Sequence, residues 1–312
     1  MRNQIFAVVV GTSLVLACGQ DDGRDTAAAA DRGASTIGAA GGSAATDVFV
    51  TDAGLDGRLL VFVGQDSGIR PAAYAGAPFV PMAAFSVERN GIPNEFPPPD
   101  SMAALLQRAG LGGQRVVIVG EPIPAGRAYA GLDYLGLGDR AALLDGGPGA
   151  LAAASGAPAA DTPASSAAAA GQDASPDLDV DVREDMIVDA AWVHERLDDP
   201  AVVILDARPP AEYTGATPGQ GIDRPGHIPG AYNLFWQTLI RSPEDPRLKD
   251  EAELRRIFEA AGVSPQSTVV SYCRTGGQAS FLYAVARHLG YDVRLYDGSF
   301  VDWSRTDYAV ER

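Results

Sequence analysis

One spacing recurs along this chain and limits what it can fold into. Ala109-Gly110 is answered by Ala261-Gly262, Leu137-Gly138 by Leu289-Gly290, and Asp145-Gly146 by Asp297-Gly298, each pair 152 residues apart. A separation held across three landmarks without a gap marks one unit used twice. In each copy a predicted helix (101–109; 251–261) precedes an apolar strand, a loop, a second helix and another short strand. Strands alternating with helices build a mostly parallel sheet covered by helices on both faces. The expectation is therefore an α/β chain of two such domains, with any ligand site beyond the carboxyl ends of the strands.

The segment Thr268 to Ser280 supplies a candidate for that site. Val269 and Val270 predict a buried strand, and Phe281, Leu282, Val285 and Leu289 fall at helical spacing over 278–289. Cys273 then stands at the strand end, just before a helix N-terminus. The free N–H groups of a first helical turn and the positive end of its dipole favour an anion there, which predicts a thiol with a lowered pKa. Gly276 and Gly277 allow positive φ, so that the amides of the loop Arg274, Thr275, Gly276, Gly277 and Gln278 can converge on the sulfur as an anion-binding nest. Arg274 adds a fixed positive charge suited to a small oxyanion.

The 152-residue spacing places Glu121, within Val119-Gly120-Glu121-Pro122-Ile123-Pro124, opposite Cys273. A carboxylate offers no nucleophile there and repels anions, and two prolines remove amides that a nest would need. The first copy is expected to be inactive.

The amino terminus carries a different signal. A short basic start, an apolar run from Ile5 to Leu16 and the sequence Val15-Leu16-Ala17-Cys18 have the form of a bacterial lipobox, with cleavage before Cys18 and lipidation of its sulfur. Gly19 replaces the aspartate associated with inner-membrane retention. The expected location is the cell envelope, at the outer membrane on its periplasmic side, with Cys18 as the lipid anchor. The chain has two cysteines. With Cys18 acylated, Cys273 has no resolving partner within the chain. A net charge of −16 argues against nucleic acid as a partner.

The expected layout is a signal peptide over 1–17, a disordered tether over 18–46, an inactive domain over 47–152, an Ala/Ser/Pro-rich linker over 153–181 and a catalytic domain over 182–312.

The chain resembles the rhodanese family of sulfurtransferases. The resemblance rests on Cys273-Arg274-Thr275-Gly276-Gly277-Gln278, on Leu205-Asp206-Ala207-Arg208 followed by Glu212-Tyr213, on the turn Gly226-His227-Ile228-Pro229-Gly230-Ala231, and on Tyr296-Asp297-Gly298-Ser299 before Trp303. It implies two rhodanese-like domains, the first inactive and the second catalytic. It implies transfer of sulfane sulfur from thiosulfate, through a persulfide on Cys273, to an external thiol or cyanide, without cofactor or metal. Arginine rather than glycine after the cysteine favours thiosulfate over 3-mercaptopyruvate as donor. Asp206, Arg208, Arg224 and His227 are candidate supporting residues. Asp206 and Arg208 are equally readable as a structural pair, and His227 as a hydrogen-bonded turn residue.

Glu212 and about Gln220 stand where many relatives carry arginines, and Gln278 replaces a common threonine or arginine. A phosphatase of similar fold would need arginine six residues after the cysteine, where Ala279 stands. The alternatives are a 3-mercaptopyruvate sulfurtransferase and a non-catalytic lipoprotein that carries persulfide or binds a partner.

Overall fold

The structure is a computed structural model describing residues 47–51, 57–65, 74–155 and 178–312. The expected signal peptide, Cys18, the tether and all but the ends of the linker lie outside the described residues. The first half contains β1 (Phe49–Val50), β2 (Leu59–Gly64), β3 (Phe79–Pro81), a hairpin of β4 (Val87–Arg89) and β5 (Ile92–Glu95), α1 (Pro99–Arg108), β6 (Val116–Val119), α2 (Pro122–Tyr134), β7 (Ala141–Leu144) and α3 (Gly147–Ser155). The second contains β8 (Ile187–Val188), α4 (Ala190–His194), β9 (Val202–Asp206), α5 (Pro210–Tyr213), β10 (Tyr232–Asn233), α6 (Glu251–Ala260), β11 (Thr268–Tyr272), α7 (Gly277–His288), β12 (Asp292–Tyr296) and α8 (Ser299–Trp303).

Two five-stranded sheets have the same order, β1-β7-β6-β2-β3 and β8-β12-β11-β9-β10, and every neighbouring pair in them is parallel. Helices cover both sheets, as the alternating pattern required. The two halves share one α/β plan. The 152-residue offset relates α1 to α6 and β6 to β11 without a gap. It fails earlier in the chain, because the second half inserts extra residues between β8 and β9 and between β9 and β10.

Strand parity sorts the side chains into three cores. Val61 and Val63 of β2, Ile118 of β6, Val203 and Leu205 of β9, Val269 of β11 and Leu295 of β12 all enter one cluster shared by the two halves. Their alternate neighbours enter separate outer clusters: Leu60, Phe62, Val117 and Val119 in the first half, and Ile204, Val270, Tyr272 and Tyr296 in the second. This is the period-two alternation of a sheet buried on both faces. Cys273 has the parity of Val269 and belongs to the shared core, so its side chain faces the first half.

Helices α2 and α7 form the middle of that core. A Cβ built on Gly126 would stand 2.6 Å from the Phe281 Cα, so the helices approach at a distance only glycine permits. Beside this contact, the buried Asp133 accepts a hydrogen bond from Tyr283 Oη at 2.6 Å and pairs with Arg183 and Arg287. The halves also hold each other reciprocally. Phe96 N donates to Asp297 Oδ2 at 2.6 Å, and Leu248 N donates to Asp145 Oδ1 at 2.8 Å. The two accepting aspartates are related by the same 152-residue offset, as expected of a duplicated unit packed on its own copy through a self-complementary face.

Candidate functional site

Strand β11 ends at Tyr272, and Gly276 adopts φ of +87° as the residue capping α7. Residues 273–276 therefore form a separate loop between strand and helix. The loop is braced from below by α8. Phe300 N donates to Cys273 O at 3.0 Å and Val301 N to Arg274 O at 3.1 Å. Cys273 N donates to Ser299 Oγ at 3.2 Å, and that hydroxyl donates in turn to Tyr296 O. With the first two loop carbonyls bound on the α8 side, the following amides are free to point toward the sulfur.

Backbone N–H groups of Ala279, Thr275 and Gly276 lie close enough to the Cys273 sulfur to favour its anion. The thiol is only 2% exposed. Burial pushes its pKa up from the ordinary value. The three amides pull the other way, and the Asp206 carboxylate adds to the rise. The sequence predicted a depressed value, because helix-terminus arguments count the amides and leave out how deeply strand parity buries the sulfur. The amides are in place for an anion; desolvation of the sulfur favours the neutral thiol.

Arg274 is 40% exposed at its side chain and approaches Glu212 Oε1 at 3.7 Å. It borders a cavity of about 390 Å³ whose walls come from both halves: Thr275, Gln220 and Arg305 from the second, Pro93 and Asn94 from the first-half hairpin. Two guanidinium groups, Arg274 and Arg305, thus line the cavity beside the Cys273 loop.

The supporting candidates lie elsewhere. Asp206 and Arg208 are buried and pair with each other, Arg208 Nη2 lying 2.5 Å from Asp206 Oδ2 and also donating to Gly226 O at 2.8 Å. Arg208 lies over the Phe300 ring at 4.1 Å. Arg224 donates to the carbonyls of Trp303, Ser304, Thr306 and Tyr308, holding the last turn of the chain. His227 stacks on Tyr213 at 3.8 Å, with Nδ1 3.0 Å from Tyr213 O. These side chains fix the scaffold under the loop, while Arg274 and Thr275, the two residues after Cys273, line the cavity.

Sequence reasoning missed the first half's contribution. Asn94 Nδ2 donates to Thr275 Oγ1 at 3.1 Å, and the fully buried Arg127 reaches Asp297 Oδ1 at 2.5 Å. An arginine among the alanines and glycines of α2 was the available signal. Nothing in the sequence of the hairpin pointed to Asn94.

At the equivalent place in the first half, α2 begins at Pro122 immediately after Glu121. The expected loop is absent: residues matching 274–276 already form helix, so their amides cannot converge on a point. The cavity there, between Gly120, Gly147 and Phe281, has shrunk to about 20 Å³.

Residues 189–306 match the family of the rhodanese-like domain. The second half therefore carries a rhodanese-like domain. A Synechococcus elongatus protein whose name is putative thiosulfate sulfurtransferase is 41% identical over 116 residues, covering 34% of this chain and 36% of that protein. The sulfur carrier protein TtuD of Thermus thermophilus is 36% identical over 108 residues, 32% of this chain and 37% of that protein. These matches span little more than a third of the length of the curated relatives. Among solved structures, wild-type EanB superposes with a TM-score of 0.66 at 20% identity over 81% of this chain and 63% of that one. YnjE does so with 0.64 at 21% over 81% and 62%. At such identities they show a shared fold, and their coverage extends it into the first half.

Proposed function

We propose that the protein is a sulfurtransferase that moves sulfane sulfur from thiosulfate to an external thiol or cyanide through a persulfide on Cys273. The observation that carries this is the convergence of three backbone amides on a buried cysteine sulfur, beside a cavity bordered by two arginines. The sulfurtransferase name of the Synechococcus relative supports it.

The Cys273 proton is lost to solvent before attack. In the first step the Cys273 thiolate attacks the outer sulfur of thiosulfate. A new S–S bond forms, the S–S bond within thiosulfate breaks, and its electron pair leaves with sulfite. Charge is conserved: a thiolate and a dianion become a persulfide anion and a dianion. The amides of Thr275, Gly276 and Ala279 hold the sulfur anion in both states, a preorganised cradle that needs no movement during reaction. Arg274 holds the sulfonate end of the donor. In the second step cyanide or a thiolate takes the outer sulfur and returns the Cys273 thiolate.

The test is thiocyanate formation from thiosulfate and cyanide by the chain from about residue 46 onward, with 3-mercaptopyruvate as competing donor and Cys273→Ser alongside. Turnover that vanishes in the variant supports the transferase and ranks the donors. No turnover with either donor, from folded protein whose Cys273 still alkylates, favours a persulfide-carrying role; the Thermus relative is named a sulfur carrier protein. For the amino terminus we propose export and lipidation at Cys18, checked by mass spectrometry of the mature protein from membranes.

A further inference from the structure

The inactive half reaches the Cys273 loop through one buried side chain. Arg127 of α2 is 0% exposed. Its guanidinium stacks on the Phe96 ring at 3.6 Å, so one face of it is closed off. Its nitrogens are spread over both halves. Nε donates to Phe85 O at 3.1 Å, Nη1 to Asp297 Oδ1 at 2.5 Å and to Ser280 Oγ at 3.3 Å, and Nη2 to the Asn94 carbonyl.

Each of the last three contacts leads to the Cys273 loop within one further residue. Ser280 Oγ donates to Gly276 O at 2.8 Å. Asp297 packs against Gly276 so closely that a Cβ there would stand 2.8 Å from Oδ1 and 3.1 Å from Arg127 Nη1. The side chain of Asn94 donates to Thr275 Oγ1, while its own carbonyl is held by Arg127 and its backbone adopts φ of +64°. Residues 275 and 276 supply two of the three amides on the sulfur. Arg305 Nη1 donates to Gly91 O at 2.8 Å and fastens the hairpin tip from the other side.

The reciprocal bonds Phe96–Asp297 and Leu248–Asp145 would hold the halves together without any arginine, and the position 152 residues after Arg127 is Ala279. Arg127 is thus an addition to the symmetric interface, present on the side that faces a working loop and absent from the side that faces Glu121. A planar, permanently charged fork with several donors in fixed directions is suited to setting several acceptors at once.

We propose that Arg127 is a positioning residue for the Cys273 anion cradle, acting through Asp297 and Ser280 on Gly276 and through Asn94 on Thr275. The inactive half then serves as a component of the cradle as well as a wall. The proposal rests on the cradle geometry assigned above. It does not require that thiosulfate be the donor.

The experiment compares Asn94→Ala, Arg127→Lys and Arg127→Met in the full chain. Asn94→Ala removes the link to Thr275 from an edge of the cavity and leaves the buried guanidinium in place, so it is expected to fold. Arg127→Lys keeps a charge for Asp297 but cannot serve Asn94 and Ser280 together, and Arg127→Met removes the charge as well. The first readout is alkylation of Cys273 by iodoacetate and by iodoacetamide across pH. The ratio of the two rates reports anion recognition independently of sulfur transfer. The second is the KM and kcat for thiosulfate.

The expected result is a ratio lowered about tenfold in Asn94→Ala and more in the Arg127 variants, an alkylation midpoint moved to higher pH, and a kcat/KM lowered about 10- to 100-fold, as for sub-ångström misplacement of a reacting group. A fall in melting temperature with ratio and midpoint unchanged in Asn94→Ala and Arg127→Lys would reduce Arg127 to a structural ion pair and overturn the proposal. Altered alkylation in these variants, alongside a wild-type protein that transfers no sulfur, would keep the proposal and remove the thiosulfate reading.

Discussion

The β6–α2 and β11–α7 crossovers are the same supersecondary unit at the same position in sheets of the same order, yet only one makes a cradle. In β11–α7 a loop of four residues separates strand from helix, Gly276 turns the chain through positive φ, and three amides meet at Cys273. In β6–α2 the helix starts straight after Glu121, with Pro122 in its first turn, and the space in front of it is about 20 Å³. The comparison teaches that the two crossovers differ in the loop as well as in the residue at the strand end. A thiol placed there would meet a helix end already wound, without a nest.

The sharpest way to break that comparison is to move the nucleophile. The double variant Cys273→Ser/Glu121→Cys is expected to form no persulfide and no thiocyanate, with complete loss rather than partial rescue, while the thiol it introduces in the first half alkylates like that of a free cysteine. Measurable transfer by that double variant would show that the cradle is dispensable. Gly276→Ala comes next. It places a side chain on a +87° backbone and against Asp297, so stability should fall by about 1–3 kcal/mol in denaturant titration and turnover by at least about tenfold.

Gly126→Ala tests the packing between the halves rather than the loop. Overpacking against Phe281 is expected to cost about 1–3 kcal/mol, with the activity of the remaining folded protein reduced only modestly. An unchanged melting curve would mean that α2 and α7 can part without loss.

The smallest effect concerns pH. Because burial raises the Cys273 pKa, the thiolate is lost as pH falls through a value above that of an ordinary cysteine. Alkylation by neutral iodoacetamide should therefore have its midpoint at a higher pH in the folded protein than in the unfolded chain. A midpoint at lower pH than in the unfolded chain would show that the amides outweigh burial.

The duplication, the sheets and the place of Cys273 at the end of a strand were legible in the chain. Val269 and Val270 name a buried strand, Gly276 and Gly277 a turn, and the regular helix positions a face, because these signals arise from neighbours in sequence. Pro122 and Pro124 remove amides that a nest would need; the structure adds that they already lie in the first turn of α2, where proline is well tolerated. The sign of the Cys273 pKa shift was misjudged. Helix-terminus amides are local and visible in sequence, whereas desolvation depends on the whole sheet and the opposing half.

The sequence by itself determined that two related α/β units follow one another and that Cys273 ends a strand before a glycine-rich turn, since backbone conformation and apolar periodicity are short-range properties. Only the tertiary structure decided that Cys273 faces the inactive half, that Asp206, Arg208 and Arg224 are committed to the scaffold, and that Arg127 and Asn94, more than 140 residues earlier, hold the loop. Such contacts follow from how two sheets pack through α2 and α7, and close approach at Gly126 depends on which residue lies across the interface.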